Sequence, residues 1–145
     1  MNWKYVKKLK NNESIGEFEK EYSFIFPDDY KTCIILYNGG RPEFQVFDTD
    51  KQKERTIKSL LSFNKADIET IWKMAEWNKE ITKEKYIPFA SDNYGNLICF
   101  KKEDSSVNFI DHENENIEFI ASSFTEFLGK LYNLGDEHVS DQNNQ

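Results

Sequence analysis

Apolar positions along this chain keep helical spacing in the first half and change period in the second. Ile15, Phe18 and Tyr22 recur every three to four residues, which predicts a helix over 14–22. Ser14 and Glu17 in front of them form the S-x-x-E pattern of a capping box. Upstream, Trp3, Val6 and Leu9 are spaced as anchors of a short amphipathic helix within residues 1–11. Tyr30, Cys33, Ile34 and Tyr37 mark a clearer helix. Pro27 suits its first position, where a missing N–H costs nothing. Asp28 and Asp29 fit the positive end of its dipole. Asn38-Gly39-Gly40 ends it, with Gly39 able to take the left-handed cap conformation. Phe44, Val46 and Phe47 then read as one short strand and Thr56 to Phe63 as another. Asn64 and Asp67 read as the cap and third position of a further helix carrying Ile68, Ile71, Trp72 and Ala75, with Trp77 on a different face.

Beyond residue 84 the period shortens. Lys85 to Ala90 is extended, and Pro88 makes it an edge strand, a strand start or a bulge. Leu97-Ile98-Cys99-Phe100 lacks alternation, as expected of a strand buried on both faces. Val107 to Ile110 and Ile117 to Ala121 follow across short polar connections. Such spacings force antiparallel hairpins, because a parallel crossover needs a dozen or more residues. Ser123 and Glu126 form a second capping box before Phe124, Phe127, Leu128, Leu131 and Leu134, and Gly135 is placed as the stop. Residues 136–145 are polar and read as a flexible acidic tail after a single domain at 1–135. Helices around a small meander make an α+β arrangement, with about four to six mostly antiparallel strands against about four helices.

Composition narrows the function classes. The chain has 145 residues, enough for one well-cored domain, and 15% are aromatic. Its formal net charge of −7 repels phosphate backbones and argues against direct nucleic-acid binding. The same field attracts a basic protein. Charge is uneven: Lys4, Lys7, Lys8 and Lys10 make the start basic, whereas Asp136, Glu137 and Asp141 lie near the end. Cys33 and Cys99 sit in apolar runs and read as buried free thiols, too few for a disulfide scaffold. No apolar run approaches a membrane span and the N-terminus lacks a signal-like apolar stretch, so the expected compartment is the cytoplasm.

Candidate chemistry is sparse. Asp92-Asn93-Tyr94-Gly95-Asn96 resembles a metal or catalytic loop at first sight, but it lacks the ligand spacing of a calcium loop and the glycines of a phosphate loop. Its residues suffice for a tight turn, with Gly95 supplying a positive φ and the Asx side chains bonding their own backbone. His112 lies between Asp111 and Glu113, with no nucleophile identified for it to activate. His138 falls in the tail, so a histidine-based metal site lacks ligands. No cofactor is expected. Phe44, Trp77 and Tyr94 are aromatics without a clear core role and, with His112, are the candidate partner-binding residues. A hydrolase built from Asp28, Asp29, Asp92 and His112 would require all four in one pocket.

Four segments in order resemble the Smi/Knr-type branch of the SUKH superfamily: IGEFEKEYSFIFPDDYKTCIILYNGG at 15–40, YIPFASDNYGNLICF at 86–100, VNFIDHE at 107–113 and IASSFTEFLGKLY at 120–132. The segment 41–84 matches loosely. The resemblance implies an α+β fold with a small mostly antiparallel sheet packed on helices. It maps Pro27, Tyr30, Asn38, Gly39, Gly40, Pro88, Asp92, Gly95 and Asn96 onto family signature positions, read as scaffold. It also implies an immunity protein that binds and blocks a cognate bacterial toxin domain, often a nuclease, without being an enzyme. The surface that meets the toxin varies among such proteins, so no contact residue is carried over. An intracellular adaptor without a toxin partner is the alternative.

Overall fold

A computed structural model describes residues 1–134. The expected helix stop at Gly135, His138 and the tail at 136–145 lie outside the described residues. The chain begins with β1 (Trp3–Lys4), α1 (Glu13–Tyr22) and α2 (Asp28–Tyr37). Short strands β2 (Arg41–Pro42), β3 (Val46–Phe47), β4 (Arg55–Thr56) and β5 (Ser59–Leu60) follow. Then come α3 (Ile71–Thr82), the meander β6 (Tyr86–Ser91), β7 (Leu97–Lys101), β8 (Val107–Asp111) and β9 (Asn116–Ala121), and finally α4 (Phe124–Lys130). The main sheet runs β5-β6-β7-β8-β9, antiparallel throughout, and β1–β2 and β3–β4 form two small pairs. This is the α+β architecture that the change of period predicts.

Leu97, Ile98, Cys99 and Phe100 are at most 1% exposed, so β7 has no solvent face. On one side Phe100 meets Phe24, Phe26, Tyr30, Phe89 and Phe124, which brings α2 and α4 onto the sheet. Phe18 of α1 joins them through Phe26 and Phe63. Such edge-to-face and offset ring pairs add to the burial of large apolar areas. Helix α3 spans the sheet from β6 to the end of β8, with Asn78 bonded to both the Tyr86 carbonyl and the His112 ring. Pro88 sits at a bulge in the β6–β7 ladder, where its missing N–H is tolerated.

Several local expectations are corrected. Residues 1–11 are not helical: Trp3 and Lys4 pair with Pro42 and Arg41, and the Trp3 ring stacks on Tyr37 at 5.5 Å. Two asparagine side chains hold the extended arm. Asn38 Nδ2 donates to the Lys7 carbonyl (2.7 Å), while Asn64 accepts from Lys10 N (3.0 Å) and donates to the Lys8 carbonyl (2.9 Å). Ser14 lies inside α1, whose first turn is instead met by Asn11 Oδ1 accepting from Glu13 N. Pro27 is the N-cap of α2 rather than its first residue. Asn64–Asp67 is a turn, and α3 begins at Ile71 behind a Thr70 cap that accepts from Lys73 N. Ile68 is therefore 88% exposed. The expected strand at 56–63 is two short strands that join different sheets. The last helix ends at Lys130, because the chain turns extended and Tyr132 pairs with Val46.

Gly40 carries a close approach. A Cβ there would lie 2.8 Å from the Tyr37 carbonyl and 3.3 Å from the Trp3 ring. Asn38 is fully buried and satisfies both ends of its amide, donating also to Ser62 Oγ (2.9 Å) and accepting from Phe63 N (2.8 Å). Tyr30 is equally buried, yet its hydroxyl has no hydrogen-bond partner. These two residues predict opposite outcomes in urea melts. Asn38→Ala strands the buried Phe63 N–H and removes a donor from Ser62 Oγ and from the Lys7 carbonyl, and should destabilise by about 2–4 kcal/mol. Tyr30→Phe removes an unpaired buried hydroxyl and should change stability by less than about 1 kcal/mol, in either direction. Equal losses for the two variants would refute this account of the core's polar groups.

Candidate functional site

An open cleft of about 680 Å³ lies at one end of the sheet. Four pieces of chain build it: the β6–β7 turn, the turn after β8, the β4 segment and the outer side of α3. Asp92 organises the first turn. Its Oδ1 accepts from Tyr94 N and Asn96 N, both at 2.8 Å, and its Oδ2 accepts from Asn96 Nδ2 at 2.9 Å. Gly95, at φ +85°, allows the reversal. Asn96 then couples the two turns, because its Oδ1 accepts from His112 N at 3.1 Å.

The third wall hangs on an ion pair. Arg55 Nη2 lies 2.8 Å from Glu118 Oε2, its Nε donates to Glu118 Oε1, and its guanidinium covers the Phe109 ring at 4.4 Å. Asp111 is a second carboxylate, 3.8 Å away. Thr49 also donates to Glu118 at 2.7 Å. Glu118 is only 3% exposed, and a carboxylate so buried needs this set of partners. Glu118 and Ile120 point inward, Phe119 is 41% exposed, and a bulge opposite Val107/Asn108 lets Ile120 and Ala121 be buried together.

Trp77 and His112 stack with centroids 4.2 Å apart and planes at 14°. Asn78 Nδ2 donates to the Tyr86 carbonyl and to Thr82 Oγ1, which leaves its Oδ1 to accept. His112 Nε2 is therefore the protonated nitrogen of the neutral ring, donating to Asn78 Oδ1 at 3.1 Å. Nδ1 is buried without a hydrogen-bond partner. Burial holds the His112 pKa below its ordinary value of 6.5, against the opposite pull of the Ile110 backbone carbonyl and of the Asp111 and Asp92 charges.

Trp77, Tyr94 and His112 thus come together on one cleft, and Trp77 and Tyr94 are 48% and 81% exposed. Phe44 does not line it and is half-buried against the hydrophobic core. Of the signature positions, Asp92, Gly95 and Asn96 line the cleft, whereas Pro27, Tyr30, Asn38, Gly39, Gly40 and Pro88 do not. The hydrolase constellation is not assembled. Asp29 accepts from Thr125 N and Oγ1 at the start of α4, Asp28 is exposed on α2, and neither reaches the cleft. The Asp92 carboxylate is occupied by its own turn. Arg55, Asp111, Glu113 and Glu54 complete the cleft, and the sequence reading missed them. The only sequence signal for them was charge in a loosely matching segment and in a connecting turn. Cys33 is half-buried with its thiol pushed up to about 12, chiefly by burial, and Cys99 is fully buried. Among the described residues no group of His, Cys, Asp and Glu is placed to hold a metal ion, and no helix is long and apolar enough to cross a membrane.

A family model described as SUKH_6, SMI1-KNR4 cell-wall, matches residues 12–128, well over half of the chain. No curated protein matches it.

The geometry of His112 sets a pH dependence. Its pKa is lower folded than unfolded, so the unfolded chain binds more protons in the window between the two values. The contribution is present above pH 6.5 and is lost as pH falls from 6.5 through the folded pKa. An NMR titration should place the His112 ring below 6.5, and His112→Gln should flatten the fall in stability as pH drops below 6.5. A His112 pKa at or above 6.5 would contradict the burial argument.

Proposed function

The chain belongs to the SMI1-KNR4 cell-wall family, and from that premise we propose that it is an immunity protein that binds and neutralises a cognate bacterial toxin domain in the cytoplasm. The toxin class best matched by an acidic surface is a basic nuclease, whose nucleic-acid-binding face complements the net charge of −7. The observation that carries the reading is the pair of exposed aromatics, Trp77 and Tyr94, on the rim of an open acidic cleft. Large rings held at a concave surface are the residue types that dominate protein–protein binding energy. A stoichiometric inhibitor needs complementary shape and charge and no tuned acid or base, so it is not an enzyme in this reading. An interface of common size would bury about 1,200–2,000 Å² in total, more than the cleft alone offers, so the cleft is its centre and the surrounding acidic surface its rim.

The test is co-expression with the toxic domain encoded beside this gene, followed by size-exclusion chromatography with mass measurement. Growth rescue and a stable complex are expected. Trp77→Ala and Tyr94→Ala should each weaken the complex by about 30-fold, the loss of a hot-spot side chain near 2 kcal/mol, while Phe44→Ala should act through stability alone. No rescue and no complex, with a soluble protein and a toxin that kills on its own, would leave an adaptor function without a toxin partner as the reading.

A further inference from the structure

Taking the cleft as the partner-binding site, we propose that it receives an arginine side chain from a basic segment of the partner, with an apolar neighbour of that arginine seated in the adjoining depression. The charge inside the cleft is lopsided once its internal pairings are removed. Arg55 is the one cation on its lining, and its single charge is shared between Glu118 at 2.8 Å and Asp111 at 3.8 Å. Asp92 and Asp111 are held mainly by neutral N–H donors, which orient the carboxylates and leave their charge in place. Among the described residues, the carboxylates of Glu54 and Glu113 have no hydrogen-bond or ion-pair partner. Four negative groups therefore face one cavity with no mobile cation to answer them.

Aromatic surface decides which cation fits. Trp77 has one face on His112 and is still about half exposed, and Tyr94 stands out from the turn. A guanidinium is planar, weakly hydrated and able to lie on a ring while its edge donates to carboxylates. An ammonium meets the charge but not the flat surface. The second depression, of about 450 Å³, shares Trp77, Asp92, Gly95 and Asn96 with the cleft and adds Met74 and Leu97. The Lys58–Glu69 ion pair at 2.6 Å closes its charge internally. Trp77 and the Asp92–Asn96 turn thus form a ridge between an acidic hollow and a more apolar one. An extended segment crossing that ridge would place successive or near-successive side chains of unlike chemistry on its two sides.

The probe is a capped peptide, acetyl-Gly-Arg-Leu-amide, titrated into the full chain and followed by NMR at the Trp77 indole and at the Gly95, Asn96 and His112 amides. Saturable shifts at these groups are expected, together with a loss of affinity of about tenfold when arginine is replaced by its neutral isostere citrulline. Raising the salt from 0.05 M to 0.5 M should weaken the arginine peptide several-fold and leave the citrulline peptide nearly unchanged. Glu54→Gln with Glu113→Gln should reproduce the citrulline loss, and Glu80→Gln on the exposed side of α3 should not. Equal binding of the two peptides, shifts confined to other surfaces, or no saturation would overturn the proposal. Its failure is separable from that of the immunity reading. If the Glu54→Gln/Glu113→Gln variant neutralises the toxin as well as the parent chain does, immunity stands and the arginine site falls. If the arginine peptide binds as described but the parent chain neutralises no toxin, the arginine site stands and immunity falls.

Discussion

The strand Leu97–Lys101 has almost no access to water on either face, and the fold is the means of keeping it so. A central strand with Leu97, Ile98, Cys99 and Phe100 all buried needs neighbours on both edges and cover on both sides. The edges come from β6 and β8, joined to it by turns too short for anything but antiparallel pairing. Cover comes from α2 and α4 through a continuous set of rings and from α3 across the other side. Much of the aromatic content is explained by this demand. Phe100 alone meets five rings, and Phe89, Tyr30 and Phe124 meet one another around it. Apolar area of this kind is the main favourable term in folding and is indifferent to direction. Specificity must come from elsewhere.

It comes from buried polar groups, and these are where the sequence was hardest to read. The period of apolar residues located α1, α2, the meander and α4 because those elements bury apolar side chains in register. It failed at the N-terminal arm because Trp3, Val6 and Leu9 have helical spacing, yet the backbone there is captured by the amides of Asn38 and Asn64. It failed at the start of α3 because Asn64 and Asp67 serve that capture instead of capping a helix. The buried stripe of α3 itself runs Ile71, Ala75, Asn78, Thr82, so half of it is polar and invisible to a hydrophobic pattern. Glu118 is the same lesson in a strand. A carboxylate reads as an outward position, and only Arg55, more than sixty residues away, turns it inward. Side-chain pairing over such distances leaves no local trace.

The cleft was legible in part for a related reason. Asp92, Gly95 and Asn96 form a turn whose chemistry is local, so the spacing alone identifies it. Trp77, Tyr94 and His112 could be picked out only as residues without an apolar role, and Phe44 was picked on the same ground although it packs against the core. What brings the first three together is Asn96, which binds Asp92 of its own turn and the backbone of the next, and Asn78, which fixes the ring on which Trp77 lies. The walls at Arg55 and Glu54 belong to a segment with little regular structure, and nothing short of the assembled sheet places them beside His112.

That division of labour bears on how such a surface can change. The groups that orient the cleft, Asp92, Asn96, Asn78 and the Arg55–Glu118 pair, have their hydrogen bonds directed inward, to the backbone or to one another. The groups that face outward, Glu54, Glu113, Trp77 and Tyr94, carry no internal bond that the fold depends on beyond the ring contact of Trp77. Substitution of the second set changes shape and charge at the rim while the frame remains satisfied. Substitution of the first set leaves buried donors or a buried charge unpaired, at a cost of several kcal/mol. A rigid frame also loses little conformational freedom when a partner docks, so more of the contact energy is retained as affinity. A fold with inward-directed polar bonds and outward-facing uncommitted side chains can therefore hold its architecture while its specificity drifts, and both properties follow from where the hydrogen bonds point.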